Sequence, residues 1–128
     1  MKIIIDTHIF LWYVTDDNKL SDNSKKIINQ RENIIYLIQA SIWEMAIKYS
    51  QEKLNFDSPF LEFINQQIKI NSFEILSFNL LHFEQVTKLP FHHRDPFDRM
   101  IISQAMVEKI PLISYDSLFN CYDIKLIK

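Results

Sequence analysis

Residues 92–105, HHRDPFDRMIISQA, set two carboxylates, two arginines and two histidines at the mouth of a segment that reads as a buried helix. Asp95 ahead of Pro96 has the form of an N-cap followed by proline at the first helical position, so helix is expected from Phe97 onward with Asp98 in its first turn. Met100, Ile101, Ile102, Ala105 and Met106 then supply a broad apolar face. Local structure alone accounts for either aspartate, because a cap or a charge at the positive end of a helix is worth about 0.3 to 2 kcal/mol. Chemistry enters if other acids converge on them, and Asp6, Glu44 and Asp116 are the candidates. Carboxylates within about 6 Å of one another raise each other's pKa values and cost energy unless a cation compensates. Oxygen-only ligands suit hard ions, Mg²⁺ or Mn²⁺ held by a few carboxylates, waters and a substrate phosphate. Phosphodiester hydrolysis is the reaction such a site serves, with the ion activating water and offsetting charge on the scissile phosphate. Zinc is disfavoured, since there is no HExxH pattern and no cysteine pair.

The elements that must position these acids follow from the apolar pattern. Lys2 to Ile5 is expected to form a strand buried on both faces, ending at Asp6. Ile9 to Val14 is expected to be a short helix capped by Thr7 and ended by Asp16-Asp17-Asn18, and Ser21 or Asp22 to open a polar helix to about Glu32 with Ile27 and Ile28 inward. A second strand spans 34–38. Ser41 to Glu44 has the form of a capping box, which would occupy Glu44 structurally, as would an ion pair with Lys48. That helix should run to about Glu52. Further helices are expected over 59–70 and from an Asn79 cap through Lys88, with strands at 73–76, 111–114 and 123–127. His82 reads as a surface or packing residue. Strands alternating with helices imply one parallel sheet covered on both faces, whose site lies past the carboxyl ends of the strands where strand order reverses. Asp6, Asp116 and Glu44 obey that rule. Asp98 does so only if the loop after Lys88 has returned to the same edge.

Composition bounds the class. A chain of 128 residues with 48% hydrophobic content supports one domain, 1–128, without disulfide or metal staples. The absence of glycine excludes glycine-rich phosphate loops and dinucleotide fingerprints, and leaves turns to Asn, Asp, Ser and Pro. A single cysteine, Cys121, cannot form an internal disulfide, no signal-peptide pattern opens the chain, and no apolar run reaches the 18 or so residues of a membrane span, so a cytoplasmic protein is expected. Net charge is −2, which gives the surface as a whole no attraction for nucleic acid, but setting four acids aside leaves a balance of two positive charges.

IIIDTH, SIWEMAIK, HHRDPFDRMIISQA and ISYDSLF, in this order and spacing, resemble a PIN-domain ribonuclease of the VapC type, the toxin half of a bacterial toxin–antitoxin pair, over essentially the whole chain. The resemblance implies a three-layer α/β/α fold with a short parallel five-stranded sheet in the order 3-2-1-4-5. That order would bring the ends of strands one and four side by side and Asp98 into the site. It further implies Asp6, Glu44, Asp98 and Asp116 as catalytic and metal-holding acids, and Mg²⁺ or Mn²⁺ as cofactor. Asp95, Thr7 and Ser114 would support them. The implied activity is endonucleolytic cleavage of RNA, often tRNA or rRNA, leaving a 5′-phosphate and a 3′-hydroxyl. A homodimer and a small antitoxin whose tail blocks the site are implied as well. Ser114 stands where the family usually has threonine, and the family's glycines near the end of the helix after strand two and before strand four are missing.

Arg94, Arg99, Lys48 and His92 or His93 are the candidate phosphate contacts, with Arg99 alternatively pairing Asp95. Trp12, Trp43 and Phe97 are candidates for base stacking or, with the simpler explanation, core packing. Two other readings remain at this level. One is an aspartate-dependent phosphatase or phosphoacceptor with Asp6 as nucleophile, against which His8 stands where a second aspartate is wanted. The other is a catalytically inactive module that binds RNA or a partner.

Overall fold

The computed structural model describes residues 1–128. Strand β1 spans Lys2–Ile5, β2 Ile34–Ile38, β3 Glu74–Leu76, β4 Leu112–Ile113 and β5 Leu126–Ile127. All pair in parallel in the order β3-β2-β1-β4-β5. Helices α1 (Thr7–Val14), α2 (Asp22–Asn29), α3 (Gln39–Ser50), α4 (Phe60–Ile70), α5 (Leu80–Lys88) and α6 (Pro96–Glu108) connect them, and a 3-10 turn, Ser117–Cys121, links β4 to β5. This is the α/β/α architecture and strand order that the resemblance implied. No helix is long and apolar enough to cross a membrane.

Alternation along β1 explains why its apolar run has no polar face. Ile3 and Ile5 point into a core shared with α1, α2, α4 and Met45 of α3. Ile4 points the other way, into a core with Ala40 at the start of α3, α6 and Phe119. Both layers are closed, so the sheet is shielded on its two faces. The consecutive residues Arg99 to Ala105 of α6 are all buried, which bears out the reading of that segment.

Several ends differ from expectation, each for a local reason. Asp6, not Thr7, caps α1, because the chain leaves β1 extended at Asp6 (φ −78°, ψ 174°) and its carboxylate accepts from the Ile9 N–H at 2.8 Å. Helix α2 stops at Asn29, three residues before Glu32. No capping box forms at Ser41. Strand β2 runs straight into α3 at Gln39, so Ser41 is already inside the helix and buried, and Glu44 is released from that role. The fifth strand is reduced to Leu126–Ile127, the residues before it being taken up by the 3-10 turn and its exit. His82 is fully buried. Its Nδ1 accepts the Asn79 backbone N–H at 3.1 Å, completing a capping box at the start of α5, while Nε2 meets Glu108 at 2.8 Å and ties α5 to α6.

With no glycine available, four ordinary residues carry positive φ: Asp16, Glu52, Ser72 and Lys109. Lys109 closes α6 at φ 55°, ψ 44°, the left-handed position that glycine usually fills. The side-chain clash there costs about 1 kcal/mol. Lys109→Gly is therefore expected to raise stability by about 0.5 to 1 kcal/mol, read as a higher urea midpoint with unchanged slope.

Candidate active site

Sheet order creates the site. On leaving β1, the chain goes to one side for β2 and later returns to the other for β4, so the crevice between β1 and β4 is the point where strand order reverses. Ile5 is paired with Ile113, and the Asp6 N–H reaches the Ile113 carbonyl at 3.3 Å. Asp6 and Ser114 consequently emerge together, with the Ser114 hydroxyl close enough to the Asp6 carboxylate to favour its charged form.

Three acids line one cavity of about 30 Å³ with Thr7, His8, Ser41, Phe97 and Ile101: Asp6, Glu44 and Asp98. That is room for a water or a single ion. Burial pushes the Asp6 carboxyl above its usual range. Hydrogen bonds from Ser114 and Ile9 and the proximity of His8 oppose the shift, and Glu44 adds to it. Glu44, 17% exposed, reaches in from α3 and meets Lys48 Nζ at 3.4 Å, the ion pair expected from their spacing. Asp98 stands in the first turn of α6, held there because Asp95 caps the helix through N–H bonds from Phe97 (2.8 Å) and Asp98 (3.0 Å). Its pKa is pushed up to about 6, chiefly by burial, then by Asp95, with Glu44 and Asp116 acting in the same sense, His93 opposing, and no hydrogen bond offsetting them.

Asp116 adjoins this cavity from the β4 side. One ligand atom from each of Asp98, Asp116 and His93 lies within 4.8 Å of the others. Asp116 Oδ1 caps the 3-10 turn by accepting the Leu118 N–H at 3.0 Å, and Oδ2 accepts from His93 Nε2 at 2.8 Å. Its own N–H donates to Ser114 Oγ at 3.2 Å. Asp98 is thus common to two groupings, one with Asp6 and Glu44, the other with Asp116 and His93. The donor set, mostly carboxylate oxygen, half-buried and with Lys48 the one ion-paired cation, fits a hard divalent ion.

Three of the four acids therefore line one cavity with Thr7, and Asp116, preceded by Ser114, joins through Asp98. Asp95 is occupied as a cap. Arg99 is not placed to touch a phosphate. It is buried, and its guanidinium donates to the carbonyls of Pro90, His93, Val86 and Leu89 at 3.0 to 3.2 Å, with Phe91 stacked 4.2 Å away. It does not pair with Asp95 either; the Val86 carbonyl also accepts the Leu89 N–H, but those of Leu89, Pro90 and His93, on the segment leaving α5, have Arg99 as their donor. Arg94 is exposed, beside a groove that includes Trp43 and Phe97. Trp12 packs between His8 and Tyr115, whereas Trp43 is 59% exposed with its ring edge-on to Phe97. Sequence reasoning missed His8 and Ser41 as cavity residues and read His93 only as a phosphate contact. Position three residues past a strand end was the available signal for His8. None marked His93, whose direction depends on the path of the loop.

A parallel α/β domain with carboxylates gathered where its strand order reverses is the class these features define. The PIN domain family pattern matches residues 3–125, and the chain belongs to that family. No curated protein matches it in sequence. Among solved structures it is similar to a chain of VapBC2 from Rickettsia felis bound to a promoter DNA fragment, with 18% identity, 99% of this chain and 98% of that one covered, and a TM-score of 0.67. It is similar to VapBC-1 from nontypeable Haemophilus influenzae at 16% identity, with 100% and 98% covered and a TM-score of 0.68. The PIN domain endonuclease Utp24 aligns at 14% identity over 93% and 74%, with a TM-score of 0.51. At these identities the likeness speaks to the fold.

Proposed function

We propose that this protein is a Mg²⁺- or Mn²⁺-dependent endoribonuclease, the toxin half of a toxin–antitoxin pair, acting in the cytoplasm. The observation that carries the reading is that acids from four separate segments gather around Asp98, with Asp6 and Glu44 in its cavity and Asp116 beside it. Such a gathering of like charge destabilises the fold by itself and is explained by an ion that it holds. An ion bound there supplies activation of water and relief of the charge that builds on a scissile phosphate.

The chain's own residues do the rest. The Ile9 N–H orients Asp6; the Asp95 cap fixes the turn that carries Asp98. His8, exposed at the cavity, and Arg94 are the groups available to a polyanionic strand. RNA as the substrate rests on the family resemblance, and endonuclease chemistry is also that of the similar Utp24. The VapBC neighbours support a cognate antitoxin. An apolar groove of about 610 Å³, into which exposed Trp43, Phe83 and Phe91 project, offers surface for assembly, homodimerisation included. The phosphatase alternative wants a second aspartate two residues after Asp6, where this chain has His8.

Incubation with total RNA and end mapping tests this. Products with 5′-phosphate and 3′-hydroxyl ends are expected with Mg²⁺ or Mn²⁺, and none after chelation by EDTA. Cleavage indifferent to EDTA would contradict the metal role. Tight RNA binding without products under either ion would favour the inactive binding module.

A further inference from the structure

His93 stands beside Asp98 and Asp116 and is enclosed from several sides. Its ring is 5% exposed, between the rings of Phe119 (centroids 4.7 Å) and Tyr122 (5.5 Å). That burial removes it from the candidate phosphate contacts and leaves His92, exposed and edge-on to Tyr122. Nε2 lies 2.8 Å from Asp116 Oδ2, and Nδ1 lies 3.1 Å from the Tyr122 hydroxyl. The proton inventory selects one tautomer. An ionised carboxylate only accepts, so Nε2 carries the hydrogen and Nδ1 presents a lone pair. The Tyr122 oxygen accepts the backbone N–H of His93 itself at 3.0 Å, and its own proton is free to go to Nδ1. Every polar atom in the chain from Tyr122 through His93 to Asp116 is then matched.

We propose that His93 is a positioning residue. It clamps the Asp116 carboxylate in the orientation in which Asp116 and Asp98 can share a cation. The inference rests on the metal-site reading made above. Two features distinguish this from general packing. First, Asp116 Oδ1 is already held by the Leu118 N–H, so the His93 bond to Oδ2 removes the remaining freedom of the carboxylate to rotate. Second, His93 lies on the loop leading into α6, which carries Asp98, while Asp116 lies on the segment leaving β4. The bond therefore sets the separation between two acids that the sheet does not otherwise link. Groups that orient a metal-binding side chain in this way change metal affinity or activity by about 10- to 100-fold when removed.

The test is Mn²⁺ affinity by calorimetry or electron paramagnetic resonance on variants whose melting curves show them folded, with Asp98→Asn as the control for the metal site. His93→Phe is expected to weaken Mn²⁺ binding about 10- to 100-fold, and His93→Gln, whose amide can donate to Oδ2, to recover most of it. Tyr122→Phe keeps the imidazole and removes the hydroxyl that bonds both Nδ1 and the His93 N–H, so a loss toward the lower end of about 10- to 100-fold is expected; it decides the matter if His93→Phe does not fold. Unchanged affinity in folded His93→Phe or Tyr122→Phe, beside a loss in Asp98→Asn, overturns the positioning role and leaves the metal site standing. A spin-echo modulation from a directly coordinated imidazole nitrogen overturns it in favour of ligation. Wild-type protein that binds no Mn²⁺ overturns the metal reading and this inference with it.

Discussion

Asp98→Asn is expected to abolish RNA cleavage while making the metal-free protein more stable. Loss of activity on the order of 10³-fold follows if Asp98 is the acid shared by both groupings at the site. The gain in stability follows from its pKa. In the fold the carboxyl is pushed up to about 6 from 3.8, so the folded state binds this proton more tightly than the unfolded state does. The contribution of Asp98 to stability is therefore most favourable below about pH 4, falls as the pH rises toward 6, and stays low above that. A shift of this size corresponds to about 3 kcal/mol at full weight, and solvent access to the half-buried carboxylate reduces it to about 1 to 2 kcal/mol. Wild type and Asp98→Asn should thus have similar urea midpoints near pH 4 and diverge by pH 7 with the variant higher. Saturating Mg²⁺ should close the gap by stabilising wild type alone. Equal midpoints for the two proteins at every pH would show that Asp98 is not strained by its neighbours, and would remove the electrostatic argument for an ion.

Arg99 is expected to show the opposite pattern, a large cost in stability with no direct part in substrate binding. Its guanidinium serves four main-chain carbonyls from inside the protein. Arg99→Met keeps much of the volume but strands those acceptors, and a cost of about 3 to 5 kcal/mol is expected, or roughly 10 to 20 °C in melting temperature. Arg99→Lys, with three donors on a compact ammonium, should recover only part of this. Arg94→Ala is the matched control. It is exposed, so stability should stay within about 0.5 kcal/mol while binding to RNA weakens. If Arg99→Met melts like wild type, the carbonyl cluster does not hold the segment from the end of α5 to His93 in place.

Much of this protein is legible from the chain alone because its signals are local. The β-branched run at Lys2–Ile5, the Asp95-Pro96 helix start and the Asn79 cap each depend on residues within one turn, and each forms as read. The same locality explains the misreading at Ser41 and Glu44. A capping box is a pattern of four residues, and nothing within those four records that β2 passes into α3 without a loop. Thr7 was one residue off for a related reason, since Asp6 serves both as helix cap and as site acid. The four acids were identifiable by type and by their place after strands or at helix starts. Which side chains face them was not. Arg94 and Arg99 are five residues apart with the same charge, yet one is in solvent and the other is enclosed by carbonyls; His92 and His93 divide in the same way. Those directions are set by how the loop between α5 and α6 closes over the end of the sheet. Residue types and their order determined which atoms this protein has available for chemistry. Only the tertiary structure decided which of them share a pocket, because strand order and loop path are properties of contacts between segments far apart in the chain.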